Sequence, residues 1–597
     1  MSFFDDASLA FLPSGGAGKD TKAYSIKPTD GSGDFTFSRG SNLAATRVGP
    51  TGLIEKGREN LLTYSNQFNT TWFNTSSSVT GGQTGYDGSS DAWLLSALSS
   101  YPRIGKSISS SGVNTYSVYA KANTSDFLVL RGSFGGSQYA IVDLSDGTFP
   151  LLYSTFISGS ATSVGNGWFR VSLSFTGSLT EVAIGVSTDG TLAGWANTTN
   201  ESLFIQDAQL EIGLAATDYI ESGATTGKAG LLEDEPRFDY SGGATCPSLL
   251  LEPSRTNLIP QSEYFGDTQW SVDGVSLDAN NTTSPEGLQN AYKITDDTST
   301  GYHKITKTNV FAADGTMRTW SVFVKKETAR YCIISHAEIF SSYVNSLIFD
   351  MESGVYTNQG TTDYFDVVHD PIDMGNGWWR IGFSSDINSS SYDNFSIGIS
   401  RGADWLNNAS YTGDGSLDFY AYGAQLEVGS YPTSYIPNHS GGSVTRGADY
   451  SESSTSLSIG DSEFCAYYEI DAEVIPRESS NTFFRIEFNS GSDFIGIKGS
   501  SDSVNNMYTL QTFGGYSETI GNVTEAGVVK FLINYSSGTG DLFVNGTKYA
   551  GVITGPTTGN TIDNIELRGS GYSHDSKQIL IFPEALSDAD CITLTTL

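Results

Sequence analysis

Three features of this chain predict an all-β fold of tandem antiparallel sandwiches. First, 67 of the 597 residues are glycine, aromatics reach 12%, and only five are methionine. Stretches of Ala, Leu, Glu and Lys at helical spacing are missing, which leaves short strands and turns. Second, Gly165-Asn166-Gly167-Trp168-Phe169-Arg170 returns as Gly375-Asn376-Gly377-Trp378-Trp379-Arg380. In each copy Asn-Gly supplies the positive φ of a tight turn, and an alternating strand follows. Third, this turn is one of six matched segments that recur in one order at a spacing of about 200 residues, the mark of a duplicated module.

Charge and cysteine content narrow the function classes. The chain carries 66 acidic and 32 basic residues, a formal charge of −34. No basic face for nucleic acid or for an anionic membrane surface is expected from that balance. Cys246, Cys332, Cys465 and Cys591 lie far apart without C-x-x-C spacing, so neither a zinc site nor a disulfide framework can be read from them. Met1 to Asp6 has no basic region followed by an apolar run, so no signal peptide is expected and synthesis is placed in a cytoplasm. No apolar stretch has the length of a membrane-spanning helix.

Taken in order, residues 1–48 stand apart as a leader. They are loop-forming around Pro13-Ser14-Gly15 and Lys27-Pro28, with Asp34 to Ser38 as the one strand-like piece. Docking onto something larger and a frayed end are both open for this segment. The first module, 49–222, opens with Glu55, Arg58 and Asn60; the second, 249–437, opens with Glu252, Arg255 and Asn257 at the same spacing. Each Glu is expected to pair with its Arg and tie the segment to a sheet edge. Thr115 to Lys121 matches Thr319 to Lys325, an alternating half-buried strand. Ile141 to Gly147 matches Ile348 to Gly354, and Val182 to Ser187 matches Phe395 to Ser400. Each copy closes on Ala-Gln-Leu-Glu, at Ala208 to Glu211 and at Ala424 to Glu427. The joining segments, 223–248 with its acidic run Glu233-Asp234-Glu235 and 438–460 rich in Ser and Gly, are expected to be extended and exposed. Residues 461–597 have another rhythm. Strands at Phe464 to Ile470, Phe483 to Phe488 and Val528 to Tyr535 lead to Leu542 to Thr547, and Ser587 caps a final turn. This is a third β domain of a different kind.

The two modules resemble the repeat of bacteriophage head-spike and head-fibre proteins, a jelly-roll with carbohydrate-binding-module character. The resemblance rests on Asn60 to Ser65, Ser117 to Lys121, the Gly-Asn-Gly-Trp turns and the Ala-Gln-Leu-Glu-x-Gly endings. In the second copy Tyr411 to Gly415 and Pro432 to Pro437 match as well. The C-terminal part resembles a concanavalin-A-like, laminin-G-type sandwich through Leu542 to Gly546 and Leu586 to Ala589. The resemblance implies a structural or adhesive protein on the surface of a tailed-phage virion, homotrimeric. It would be bound to capsid or tail proteins through the leader and in contact with host-surface polysaccharide. A capsid-decorating or tail protein without glycan affinity, and a secreted bacterial glycan-binding protein, are the alternatives.

Five histidines show no metal-ligand spacing, and neither a Gly-x-Ser-x-Gly elbow nor a P-loop occurs. A glycosidase carboxylate pair can only be assembled by folding; no enzymatic activity is expected. Aromatic faces stack on sugar rings while amides and carboxylates order the hydroxyls. Loop aromatics Trp93, Trp195, Tyr302 and Trp405 are therefore the glycan-binding candidates, each with a plain packing alternative. Trp168, Trp378 and Trp379 start the turn strands, and at least one per copy is expected in a core. Asp414 and Asn545 fit a calcium or glycan ligand, and ordinary turn chemistry fits them equally. No cofactor is otherwise expected.

Overall fold

The computed structural model describes residues 3–14, 18–19, 21–40, 43–308, 314–336, 346–358, 366–386, 394–403, 409–453, 463–472, 482–488, 493–501, 506–511, 517–522, 527–554, 562–569 and 573–597. Among them the chain is almost wholly antiparallel β-structure, as its turn-rich composition predicts.

Eight central strands form the first module: Ala92–Ala97, Arg103–Ser110, Val113–Ala122, Phe127–Phe134, Ser137–Asp143, Trp168–Thr176, Leu179–Ser187 and Ser202–Ile212. Numbered in that order, one sheet runs sixth, third, eighth, first, and the other runs fifth, fourth, seventh, second. That is the jelly-roll order of two interleaved Greek keys. The second module repeats it strand for strand, from Gln289–Asp296 to Asp418–Val428, with the same two flanking strands on each sheet. Even the irregularity is duplicated. The third and eighth strands slip register between Ser117 and Tyr119 in one copy and between Ser321 and Phe323 in the other. Asp207 and Gly423 take the left-handed conformation there, with φ of 55° and 58°.

Both Asn-Gly turns form as expected. Asn166 and Gly167 have φ of 52° and 78°, Asn376 and Gly377 have 53° and 79°. Gly165 then faces Trp168, and Gly375 faces Trp378. Trp168 and Trp378 are 2% and 1% exposed, yet neither enters the sandwich interior. Each lies in a satellite cluster, with Tyr119 in the first copy and with Phe323 and Tyr435 in the second.

The C-terminal strands run as meanders. Gly527–Ser536, Thr539–Val544 and Thr547–Thr554 follow one another in one sheet, and Thr482–Phe488, Asp493–Ser501, Asn506–Gln511 and Ser517–Asn522 in the other. This is the third β-sandwich, built unlike the two modules, that the sequence suggests. Asn545 is its hairpin residue (φ 47°), and its side-chain oxygen accepts from Lys530 N at 2.9 Å. Ser587 caps the helix Asp588–Thr595, accepting from Asp590 N at 3.2 Å.

Three expectations are corrected. The leader 1–48 is no separate tail. Leu9–Phe11 pairs with His574–Phe582, and Phe35–Ser38 pairs with Tyr450–Ser453, so the chain's start completes both sheets of its end. Leu9, Phe11, Phe35 and Phe37 are buried in that core; Phe35 and Phe37 alternate with exposed Thr36 and Ser38, while Ala10 between Leu9 and Phe11 is buried on the other face. The joining segments are not exposed throughout: Arg237 in one and Arg446 and Asp449 in the other are buried at 0%, 0% and 1%. Glu55 and Glu252 do not pair with Arg58 and Arg255. Glu55 meets Arg47 at 2.9 Å, and Glu252 meets Arg237 and Arg446, each at 2.6 Å. The physical reason is a break in the chain between each pair: Glu55 is on the strand Ile54–Lys56 and Arg58 on Arg58–Asn60, while Glu252 follows Ser248–Leu251 and Arg255 begins Arg255–Asn257. Arg58 reaches Glu286 at 2.8 Å instead, and Arg255 lies 3.7 Å from Glu427.

Candidate functional site

The structure scatters the aromatic candidates. Trp93 lies on the strand Ala92–Ala97, not on a loop. Its indole N–H donates to Asn66 O at 3.0 Å and its ring meets Phe68 edge-on at 6.2 Å, so it packs at the core margin. Tyr302 also falls on a strand, Thr300–Tyr302, half-buried against Ile333, Ile348 and Ala409. Trp405 lies outside the described residues. Asp414 caps its own turn, accepting from Ser416 N at 3.1 Å, and stands 3.8 Å from Arg401. Among the described residues no group of three or more His, Cys, Asp or Glu converges as a metal site.

Trp195 is the informative one. It sits in the helix Leu192–Ala196, whose cap Thr191 accepts from Gly194 N at 3.0 Å. At 3% exposure its own ring faces are covered, which corrects the reading of Trp195 as a free stacking surface. Its N–H donates to Pro102 O at 3.2 Å. Around it stands a ring of tyrosines. Tyr101 meets it perpendicularly at 5.1 Å and Tyr139 at 5.3 Å, while Tyr153 meets Tyr139 at 5.6 Å. Tyr101 is 48% exposed, and Tyr139 and Tyr153 are half-buried. Tyr101 has a left-handed φ of 56°, held by its N–H donating to Trp195 O at 3.2 Å. A bulky residue in that region is strained, and such strain gathers at functional sites.

Strand register brings charge to the same face. Arg103 opposes Gly185, Gly185 opposes Val129, and Val129 opposes Ile141. This row faces outward, because Val129 and Ile141 pack on Trp195. Arg131 and Tyr139, opposite each other and two residues along, share the face by alternation. At Gly185 a Cβ would sit 2.7 Å from Pro102 O and 3.2 Å from Trp195 Nε1, so glycine is what admits the indole. Arg131 is paired with Glu181, and its Nη2 donates to Ser137 Oγ at 2.8 Å. Arg103 has no carboxylate partner among the described residues. Its Nη1 donates to Tyr101 O at 3.3 Å, and its buried Nε has no acceptor. Burial, then the neighbouring Arg131, hold its guanidinium below the ordinary arginine range. The result is an aromatic rim beside a guanidinium that has no carboxylate partner among the described residues. Sequence reasoning missed Tyr101, Tyr139, Tyr153, Arg103 and Arg131. Alternation indicates the face each strand residue takes, but not which distant strand lies beside it.

A cavity of about 620 Å³ lies elsewhere, between residues 46–54, residues 239–252 and the second module. Several of its polar groups are engaged within the fold. Asp239 accepts from Val48 N at 2.7 Å and Ser241 N at 2.8 Å, and Arg47 holds Glu55. His369, in its wall, is pushed down to about 4 by burial and by Arg380, and its Nε2 lies 2.7 Å from Ser384 Oγ.

No protein-family model matches the chain, and no curated protein matches it significantly. Among solved structures, Trypanosoma rangeli sialidase in complex with sialic acid aligns over 94% of this chain and 97% of its own, at 11% identity and a TM-score of 0.21. The LG1-3 region of the laminin alpha2 chain aligns over 82% and 96%, at 9% identity and a TM-score of 0.16. A Trypanosoma rangeli sialidase mutant displaying trans-sialidase activity aligns over 97% and 92%, at 10% identity and a TM-score of 0.18. Overlaps at such TM-scores carry no inference.

Proposed function

We propose that this chain is a non-enzymatic structural and adhesive protein of a tailed-phage particle that contacts host-surface glycans through the tyrosine rim of its first module. The observation that carries the glycan contact is the rim itself: Tyr101, Tyr139 and Tyr153 gathered around Trp195 beside two arginines on one outer face. Such rings stack on the apolar faces of sugars, and adjacent polar forks order the hydroxyls. The virion placement is supported by the motifs that resemble head-spike repeats, Asn60 to Ser65 and the closing Ala-Gln-Leu-Glu segments. Attachment to capsid or tail proteins would then use a surface shared by the leader and the C-terminal sandwich, since the leader's strands are built into that sandwich. A homotrimer would raise avidity about 10²- to 10⁴-fold over a single weak site when geometry permits.

Binding of the purified chain to host-cell polysaccharide, compared with Tyr101→Ala, tests the contact. Loss of binding in a variant that melts normally is expected. Silence across host polysaccharides, or binding indifferent to Tyr101, would leave the capsid-decorating alternative. Antibody labelling of intact particles tests the placement, and unlabelled particles would refute it.

A further inference from the structure

We infer that the Arg103–Arg131 face recognises a carboxylate-bearing sugar, the acidic residue of an anionic polysaccharide, with Tyr101 and Tyr139 against its ring. This deepens the glycan-contacting reading and rests on it.

The charge state of the face points to an anion. Of the two guanidinium groups, Arg131 is neutralised by Glu181, while Arg103 has no acidic partner among the described residues. A planar guanidinium fork is best satisfied by the two oxygens of a carboxylate. In a chain with 34 more acidic than basic residues, an arginine that gathers no carboxylate of its own is notable.

The duplication supplies an independent control. Val129 opposes both Gly185 and Ile141, and in the second module Ile333 opposes both Gly398 and Ile348. The positions of Arg131 and Tyr139 are therefore those of Ser335 and Ser346. The jelly-roll builds the same sheet without a cation or a ring at either place, so the fold does not demand Arg131 or Tyr139. What the first module adds beside Arg103 is a guanidinium already paired with Glu181 and a second aromatic edge. Packing explains Trp195 and Gly185; it does not require that Tyr101 stay 48% exposed beside an arginine with no carboxylate partner.

The full chain is titrated calorimetrically with two probe pairs: trigalacturonate against its methyl ester, and sialyllactose against lactose. At least one acid is expected to bind, with its neutral partner weaker by about tenfold or more, as for loss of a charge-assisted contact. Arg103→Ala should abolish that preference, Arg103→Lys should keep part of it, and the preference should shrink as salt rises. Should Arg103→Ala fail to fold, Arg103→Lys and Arg131→Gln decide by the same measure. Equal binding within both pairs, a preference that survives loss of Arg103, or no binding of either acid would each overturn the inference. Tyr101-dependent attachment to host polysaccharide would in those cases keep the broader glycan reading standing. Absence of that attachment would remove both.

Discussion

Arg237 and Glu252 meet at 2.6 Å in a fully buried ion cluster that joins segments remote in the sequence. Glu252 also holds Arg446 at 2.6 Å, and Asp449 binds Arg237 and lies 3.3 Å from Arg39. The remaining lone pairs are used: Ser434 N donates to Glu252 at 2.7 Å, and Glu252 N donates to Asp449 at 2.9 Å. Leader, both joining segments and the start of the second module are thus fastened at one point.

Removing the charge of Glu252 should unfasten it. Opposing its own burial, Arg446 and Arg237 hold the Glu252 carboxyl well below the ordinary glutamate value. Its stabilising effect is present above the unfolded value of 4.5 and is lost as pH falls below it. Glu252→Gln leaves two buried arginines short of a counter-charge and should cost about 3–5 kcal/mol at pH 7. Urea unfolding at pH 7 and pH 3 checks this; an unchanged midpoint at pH 7 would contradict it.

Deletion of residues 1–45 should unfold the C-terminal sandwich. Leu9, Phe11, Phe35 and Phe37 leave its core, a loss on the order of 6 kcal/mol or more. Two strands, His574–Phe582 and Tyr450–Ser453, also lose partners. Limited proteolysis of the truncated chain should cut within residues 461–597. Resistance equal to that of the full chain would show that the leader is dispensable.

Asp207 should make the first module less stable as pH rises. Burial, then the nearby carboxylates Asp91 and Asp87, push it up to about 7, against a hydrogen bond from Tyr86 Oη at 3.1 Å. The folded chain therefore keeps a proton that the unfolded chain releases near the ordinary 3.8, and stability falls through that window. Asp207→Asn, which tolerates the left-handed backbone, should remove the slope and gain about 1–3 kcal/mol at pH 8. Parallel pH profiles for the two proteins would rule the assignment out.

Glu286 should couple the modules. It is fully buried, paired with Lys56 and, at 2.8 Å, with Arg58, both from the segment that opens the first module. Glu286→Gln leaves Arg58 without its counter-charge, while Lys56 keeps Glu263 at 3.2 Å, and should cost about 3 kcal/mol. The lost stability should be largely recovered when Arg58 is also replaced by Met, a comparison made by urea unfolding of the single and double variants.

Much of the architecture was legible locally. Period-two alternation marked Val113–Ala122 and Arg318–Lys326, and Asn-Gly marked both hairpins, because side-chain direction and positive φ are properties of adjacent residues. Six segments in repeated order announced the duplicated sandwich before any pairing was known. The glycan candidates fared less well. Trp195 led to the face but not to the exposed ring on it, since burial depends on which strand passes behind.

The sequence by itself determined strands, turns and duplication. Only the tertiary structure decided partnership: that Glu252 faces Arg237 rather than Arg255, that the first strand pairs with the last, and that Arg103 stands beside Arg131. The reason is physical. Alternation acts between neighbours in the chain, whereas a buried charge or an exposed ring takes its meaning from residues brought alongside by register, often hundreds of positions away.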